Sequence, residues 1–222
     1  MTDSNWRFPS HVHATTSGGD LVLLDVRSDA YFCLPDVGQD FQVSAADRAV
    51  GTLPLEVRTE LQAAGLLVRS DGAPNGERPA LAPRDDLFDQ PFPAPTRRER
   101  LDFARALVGM AWTYRGRPFE HILAGASARS LALGRGEGMV GEALVRRSQV
   151  FRRLLPWSPV QGACLFQAAL LLEFLGQAGL TADWVFGVRT WPFGAHCWLQ
   201  AGSTVLNDTV DRVAAFDPIL VA

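Results

Sequence analysis

The stretch QGACLFQAALLLEFLGQAG, residues 161–179, decides how the rest of the chain is interpreted. It holds one cysteine, Cys164, followed by an almost uninterrupted apolar run that closes at Gly176 and Gly179. This run predicts a buried helix with Cys164 in its first turn. There, unpaired backbone N–H groups and the helix dipole lower a thiol pKa, which favours a nucleophilic thiolate. A free cysteine is more often a small core residue than a nucleophile, so the segment alone does not establish a reactive site.

Two residues after this helix could complete a catalytic group. His196 lies in AHCWLQ, and Asp208 ends TVLND twelve residues later. A hairpin that turns at Gly202 would bring the carboxylate against one imidazole nitrogen. The other nitrogen would then face Cys164, giving a nucleophile, a base and an orienting acid. Taken singly, His196 could be a satisfied strand histidine and Asp208 a turn residue.

Three short strands are predicted near the N-terminus. They cover His11–Thr16, Leu21–Val26 and Ala30–Leu34, with Gly-Gly-Asp and Arg-Ser-Asp turns between them. Ser44 is a suitable N-cap for a following helix, and LEVRTELQAAGLLV, residues 55–68, has the apolar spacing of another. Three consecutive strands followed by short helices have the outline of a winged-helix module.

The composition changes over residues 70–96, where Pro, Gly and Asp are frequent and no period is sustained. This segment is predicted to be a linker, although Leu87, Phe88 and Phe92 indicate that part of it packs on a domain. Helical spacing follows over residues 97–114 and, less regularly, over about 121–133. A further helix leads to Pro156, and its solvated face is predicted to carry Arg146, Arg147, Arg152 and Arg153.

After the cysteine helix, three strands are predicted to complete the chain. They cover Ala182–Arg189, Ala195–Gln200 and Ser203–Asn207. The fold class is therefore α+β, with a winged-helix module before a helix-and-sheet domain. The predicted boundaries are 1–69 for the N-terminal domain, 70–96 for the linker and 97–222 for the C-terminal domain.

The bulk composition limits the classes of function. All 21 basic residues are arginine, and 24 acidic residues bring the net charge to −3. Residues 1–70 hold nine acids and five arginines, a surface that would repel DNA phosphates, so no nucleic-acid partner is expected. Three scattered cysteines predict neither disulfides nor a metal site. No apolar run approaches the roughly 20 residues of a membrane span and no signal-like block is present, so a cytoplasmic location without membrane contact is expected.

The order of the C-terminal features resembles a known family. An isolated cysteine opening an apolar helix, a strand ending in GVR, then AHCWLQ and ND are similar to the transglutaminase-like cysteine peptidases of lasso-peptide biosynthesis, the B proteins. The resemblance covers residues 97–222, and its most specific part is the histidine-x-tryptophan followed by ND. The family usually has a small residue between histidine and tryptophan, whereas this chain has Cys197. Neighbouring strand residues face opposite sides, so Cys197 is predicted to point away from His196 and pack in the core.

The N-terminal segment LVLLDVRSDAYFCL, residues 21–34, with the helices after it, resembles the PqqD-like recognition element of RiPP biosynthesis, which binds leader peptides. The resemblance implies that a leader adds as an extra strand along the third strand and touches the last helix. This mode is physically reasonable, because an exposed sheet edge offers unpaired backbone groups. The implied leader-binding residues are Ala30, Tyr31, Phe32, Cys33, Leu34, Val57, Arg58 and Leu61.

The resemblance also implies a reaction, the removal of a leader peptide. The Cys164 thiolate would attack a peptide carbonyl, His196 would move the protons, and Asp208 would hold the imidazole tautomer. Gln161 is a candidate second oxyanion donor beside the Cys164 N–H, although it could simply cap the helix. No cofactor or metal is needed for this chemistry. The implied partners are the precursor peptide and an asparagine-synthetase-like cyclase that uses ATP to close the ring.

Two other functions stay open at this point. The same triad could transfer an acyl group to an amine, as in a transglutaminase or an arylamine acyltransferase. Alternatively, the triad-like residues could be structural in a leader-binding chaperone, in which residues 1–70 alone would retain binding.

Overall fold

The computed structural model describes residues 6–38, 53–69, 79–114, 116–133, 140–159 and 163–222. The chain divides into two compact units, and each is assembled from more than one segment. The first unit contains the described residues up to Ala80, with Gly187–Ala195 and Phe216–Val221. The second unit contains Leu81–Phe186, His196–Ala215 and Ala222, within the same described ranges. The fold is mixed α+β, and the two units are interleaved along the sequence.

A sheet of three antiparallel strands forms the centre of the first unit. After the short strand β1 (Trp6–Arg7), these strands are β2 (Val12–Ser17), β3 (Asp20–Asp25) and β4 (Ala30–Leu34). Their order is β2-β3-β4, so β3 is central. Gly18 and Gly19 have positive φ in the turn between β2 and β3, which a residue with a side chain adopts only with strain. The predicted meander is confirmed, with each strand boundary within one residue of its expected position.

One face of this sheet packs against a helix. Helix α1 (Leu55–Ala63) contributes Leu61 to a core that includes Leu21 and Leu23 of β3. The helix ends before Gly65, whose φ is +71°, and β5 (Val68–Arg69) then pairs with β1. This helix was predicted from its apolar spacing, whereas the helix expected after Ser44 lies outside the described residues.

Helices make up most of the second unit. They are α2 (Arg97–Tyr114), α3 (Phe119–Ala132), α4 (Glu142–Leu154), which continues into a 3₁₀ turn (Leu155–Trp157), and α5 (Cys164–Gly176). A capping box starts α2, because Thr96 and Glu99 each accept a hydrogen bond from the other's backbone N–H. Phe103 of α2 packs edge to face on Phe151 and Phe174, which join α2, α4 and α5 into one core.

The arginines of α4 do not share one solvated face. Arg147 is buried, donates to Asp102 Oδ2 at 2.9 Å, and donates to the Phe174 carbonyl at 3.0 Å. The prediction that Arg147 lies on a solvated face was therefore wrong, because a buried carboxylate and a helix-end carbonyl satisfy its charge. Arg152 lies over the rings of Phe88 and Phe92, at 3.4 and 4.6 Å from their centroids. These contacts confirm that part of the Pro-rich segment is packed.

The remaining strands form a five-stranded sheet in the order β10-β7-β8-β9-β6. Its members are β6 (Asp85–Asp86), β7 (Asp183–Arg189), β8 (Gly194–Ala201), β9 (Thr204–Val205) and β10 (Asp217–Val221), and α6 (Val210–Val213) precedes β10. The sequence prediction ended with three strands and missed β6, α6 and β10. Strand β6 is too short to show an alternating pattern, since it pairs with β9 over two residues only. In the part of the chain that the structure describes, no helix is long and apolar enough to cross a membrane.

Candidate active site

Cys164 is the first residue of α5, as the sequence predicts. The helix is fixed by fully buried side chains along its length, among them Ala168, Leu170 and Leu171. Its first turn has backbone N–H groups without intrahelical partners, and these form the positive end of the helix dipole. The half-buried Cys164 thiol therefore sits where a thiolate is electrostatically favoured.

Hydrogen bonds from two neighbouring residues reinforce this preference. The Cys197 thiol and the His196 side chain both hydrogen-bond to the Cys164 sulfur and lower the pKa of Cys164 to about 4, although burial opposes the shift. The backbone N–H of Cys197 donates to the same sulfur and adds to the effect. Cys164 is consequently a thiolate at neutral pH.

His196 and Asp208 form a buried pair, in which Nε2 of the imidazole lies 2.5 Å from Oδ2 of the carboxylate. Burial lowers the pKa of His196, but hydrogen bonds to Asp208 and Cys164 outweigh it and raise the pKa to about 9. Burial also raises the pKa of Asp208, and hydrogen bonds from His196 and the Thr209 N–H outweigh it and hold that pKa below its usual value. Between about pH 4 and about pH 9, the site therefore holds a Cys164 thiolate, a His196 imidazolium and an orienting Asp208 carboxylate.

The hairpin of β8 and β9 brings His196 and Asp208 together. It turns at Gly202, whose φ is +59°, in line with the predicted turn. Beyond β9, the side-chain oxygen of Asn207 accepts a hydrogen bond of 2.7 Å from the Leu199 N–H on β8. Asn207 thus ties the backbone that carries Asp208 to the strand that carries His196. This gives the ND sequence a physical role, in which the first residue positions the second.

Trp198 explains the tryptophan of the histidine-x-tryptophan sequence. It lies two residues beyond His196 and therefore on the same side of β8. Its ring stacks on the imidazole with 6.1 Å between centroids and 28° between planes. Its indole N–H donates to the side-chain oxygen of Gln200 at 3.0 Å. The imidazole is therefore held on one face by a ring that is itself fixed by a hydrogen bond.

Cys197 has a larger role than the sequence suggests. It is buried at 3% exposure, as the predicted core position requires. However, its thiol and its backbone N–H both reach the Cys164 sulfur, which core packing alone does not predict. The hydrogen bond to Cys164 and burial raise the pKa of Cys197, so its thiol remains a protonated donor. No pattern in the sequence distinguishes such a residue from an ordinary buried cysteine.

Gln161 lies outside the described residues, so its role as an oxyanion donor remains a prediction. The Cys164 N–H remains the predicted first donor.

The predicted leader-binding residues occupy two elements of the first unit. Phe32 and Cys33 of β4 are exposed, and the rest of that strand is half-buried. On α1, Val57 and Arg58 are half-buried, whereas Leu61 is 5% exposed and belongs to the core. Of the three predicted leader-binding residues on α1, only Val57 and Arg58 have side chains that a bound peptide can reach. The guanidinium of Arg58 lies 5.7 Å from the ring centroid of Trp6.

Comparison with known proteins agrees with this geometry. Residues 104–221 match the family model described as the Transglutaminase-like superfamily, which covers more than half of the chain and all three predicted catalytic residues. The chain belongs to this superfamily. Membership of the transglutaminase-like superfamily fits a cysteine enzyme of the peptidase or acyltransferase type. No curated protein and no solved structure gives a significant match. In the described ranges of this transglutaminase-like chain, no group of three or more His, Cys, Asp or Glu residues could hold a metal ion.

Proposed function

We propose that this protein is the leader peptidase of a lasso-peptide pathway, which binds the leader of a precursor peptide and removes it by Cys-His-Asp catalysis. The observation that carries the proposal is the Cys164 thiolate, which is hydrogen-bonded to His196, whose other nitrogen is paired with Asp208. This is the charge state that a cysteine peptidase needs before substrate binds. The resemblance to the lasso-peptide B proteins supplies the class of substrate.

The reaction begins when the Cys164 sulfur bonds to the carbonyl carbon at the end of the leader. The Cys164 N–H stabilises the resulting oxyanion, with Gln161 as the proposed second donor. The carbon–nitrogen bond then breaks as the His196 imidazolium gives its proton to the leaving amine, which becomes the amino terminus of the core peptide. Neutral His196 next takes a proton from water, and the hydroxide that forms attacks the thioester. This step releases the leader as a carboxylate and regenerates the thiolate.

Recognition of the leader is proposed to use the first unit as a PqqD-like winged-helix module. Strand β10 packs against β2, whereas the described residues place no strand on the outer side of β4. The backbone groups along that side of β4 can therefore pair with an added peptide strand. The core peptide would pass to an ATP-using cyclase, which closes the macrolactam ring on the new amino terminus.

The test is mass spectrometry of a lasso-peptide precursor incubated with the wild type, Cys164→Ala and His196→Ala. We expect the wild type to release the leader, and both variants to leave the precursor intact while still binding it. His121→Ala is the control, because His121 is exposed on α3 and should not affect release. Leader release by Cys164→Ala would remove the proposal. A product in which the peptide is joined to an added amine, with no free leader acid, would favour the acyltransferase alternative.

A further inference from the structure

The segment Gly187–Ala195, which runs from the end of β7 to the start of β8, belongs to the first unit and is anchored to its sheet. The hydroxyl of Thr190 donates to the Ser17 carbonyl at 2.9 Å. The indole N–H of Trp191 donates to Oδ2 of the buried Asp20 at 2.8 Å. A Cβ at Gly18 would come within 2.6 Å of the Thr190 hydroxyl oxygen, so glycine permits this close approach. The segment is therefore fixed to the β2–β3 turn.

Despite this anchoring, the aromatic side chains of the segment are exposed. Trp191 is 72% exposed and Phe193 is 47% exposed. Tyr31 of β4 packs edge to face against Phe193, with 5.6 Å between ring centroids. Trp191 has a φ of +50°, a left-handed conformation that bulky residues rarely adopt and that is maintained only when surrounding contacts impose it. We call Tyr31, Trp191 and Phe193 the aromatic patch.

The alternation of side chains along β4 places the aromatic patch and α1 on opposite faces of the sheet. Leu34 packs with the core that contains α1, and Phe32 shares its parity along the strand. Tyr31 has the opposite parity and touches Phe193 instead. A peptide strand paired with β4 would continue the same alternation. One set of its side chains would face α1, and the other set would face the aromatic patch.

The charges beside β4 indicate which peptide suits this edge. Asp29 precedes the strand and Asp36 follows it, and both are exposed. With Arg27 in the same turn as Asp29, the flanks of the strand still carry a net negative charge. A partner strand with Lys or Arg near its ends would complement this charge.

We infer that the aromatic patch is the second half of a peptide-recognition site, and that it binds an aromatic or large apolar side chain of an extended, basic-flanked peptide paired with β4. The inference rests on the proposed binding of the leader at β4 and specifies what that leader must carry. Its aromatic residue lies opposite Tyr31, and the residues on either side of it face α1. Segments far apart in the sequence thus read alternate positions of one peptide.

The test uses the full-length chain and a displayed library of random 12-residue peptides, so it does not depend on the sequence of the precursor. The library is selected on the immobilised wild type and on Phe193→Ala. We expect the wild type to enrich peptides with an aromatic residue at one position and apolar residues at the alternate positions. Phe193→Ala should lose only the aromatic preference. Fluorescence anisotropy with one enriched peptide should then show about tenfold weaker binding to Phe193→Ala and to Tyr31→Ala.

Two controls keep the result specific. Trp157→Ala removes another exposed aromatic side chain, from the second unit, and should leave the affinity unchanged. Phe193→Leu keeps an apolar side chain without the ring, so it separates loss of aromatic recognition from loss of folding, which thermal unfolding also monitors. Hydrogen exchange should show protection of residues 30–34 by the bound peptide.

The outcomes distinguish this inference from the function on which it rests. Equal affinity and an equal consensus for the wild type and Phe193→Ala overturn the role of the aromatic patch and leave binding at β4 intact. If the wild type enriches no peptide that protects β4, both the patch and the proposed leader site are wrong. Leader release, measured by mass spectrometry, decides the peptidase activity separately.

Discussion

At the residue scale, the least expected feature is Cys197, which adds a hydrogen-bond donor to the group formed by Cys164, His196 and Asp208. Its thiol and backbone N–H donate to the Cys164 sulfur. His196, the preceding residue of β8, hydrogen-bonds to the same sulfur. A hydrogen bond to a charged group is worth about 1.5–3 kcal/mol, so one thiol donor can contribute a pKa unit or more. Cys197 is therefore a positioning residue, which acts on the reaction through Cys164.

Replacing Cys197 by alanine should raise the pKa of Cys164 from about 4 by about one unit, because the thiolate loses a donor. Cys197→Ser keeps a donor of similar size and should restore most of the shift. The measurement is the rate of Cys164 alkylation by iodoacetamide as a function of pH, followed by mass spectrometry of the Cys164 peptide. Identical pH profiles for the wild type and Cys197→Ala would mean that the thiol has no influence on Cys164.

The His196–Asp208 pair predicts a bell-shaped pH dependence of leader release. Activity should rise as Cys164 ionises near pH 4 and fall as His196 loses its proton near pH 9. Asp208→Asn removes the charge that favours the imidazolium, so the upper limb should move to lower pH, and kcat should fall by about 10²–10⁴. Asp211→Asn, an exposed acid three residues away, is the control and should leave both limbs in place. An unshifted upper limb in Asp208→Asn would show that Asp208 does not set the pKa of His196.

Local sequence signals indicated Cys164, His196 and Asp208, and the structure brings these three side chains together. Their catalytic role stays a prediction. Cys164 opens an apolar helix, and the spacing of His196, Gly202 and Asp208 is that of a tight hairpin. Cys197 could not be identified in this way, because its contact with Cys164 depends on how β8 approaches the start of α5. A small residue in a strand gives no sign of such an approach.

At the element scale, periodicity and turn residues predicted the meander and the helices α1 to α5, since each depends on neighbours a few residues apart. The short parallel pairing of β6 with β9 has no such signature.

The burial of Arg147 was missed for a related reason. Its partner, Asp102, lies 45 residues away on another helix, and an arginine at a helix surface gives the same local pattern whether or not a carboxylate covers it.

The β2–β3 turn offers a matched test of a packed glycine. Gly18 and Gly65 both have positive φ, but only the Cβ at Gly18 would meet another atom, the Thr190 hydroxyl oxygen. We expect Gly65→Ala to cost about 1 kcal/mol and Gly18→Ala to cost about 2–3 kcal/mol in the free energy of unfolding, measured by urea denaturation. Gly18→Ala with Thr190→Ala should recover part of the difference. Equal costs for the two single variants would mean that Thr190 moves away freely.

At the scale of the whole molecule, the first unit is not a continuous stretch of sequence. The hydrogen bond from Trp191 to Asp20 joins residues 171 positions apart, and β10 packs against β2 from the other end of the chain. Sequence patterns describe neighbours along the chain, so they predicted two consecutive domains joined by a linker. They do not indicate that Gly187–Ala195 and Phe216–Val221 belong to the N-terminal unit. The aromatic patch was not predicted either, because Tyr31 lies on β4 and Trp191 and Phe193 lie in a segment about 160 residues later in the sequence.

This organisation predicts that residues 1–80 do not fold as a stable unit by themselves. Val22 and Leu24 of β3 are fully buried and share the face of Tyr31, which packs on Phe193 of the returning segment. Residues 1–80 lack both returning segments of this unit, Gly187–Ala195 and Phe216–Val221. We expect their loss to expose apolar side chains of the sheet at a cost of about 1.5–3 kcal/mol each, a major share of the about 5–15 kcal/mol that stabilises a typical domain.

We therefore expect the fragment to lack a cooperative thermal transition and to exchange the amide protons of β3 rapidly, whereas the full-length chain should unfold cooperatively and protect them. The control is the full-length protein cleaved after Ala80 through an inserted protease site, which retains every segment and should stay folded. Residues 1–70 alone should likewise not retain the peptide binding that a self-contained N-terminal module would have. A fragment with the exchange protection of the intact chain would show that the returning segments are dispensable for the sheet.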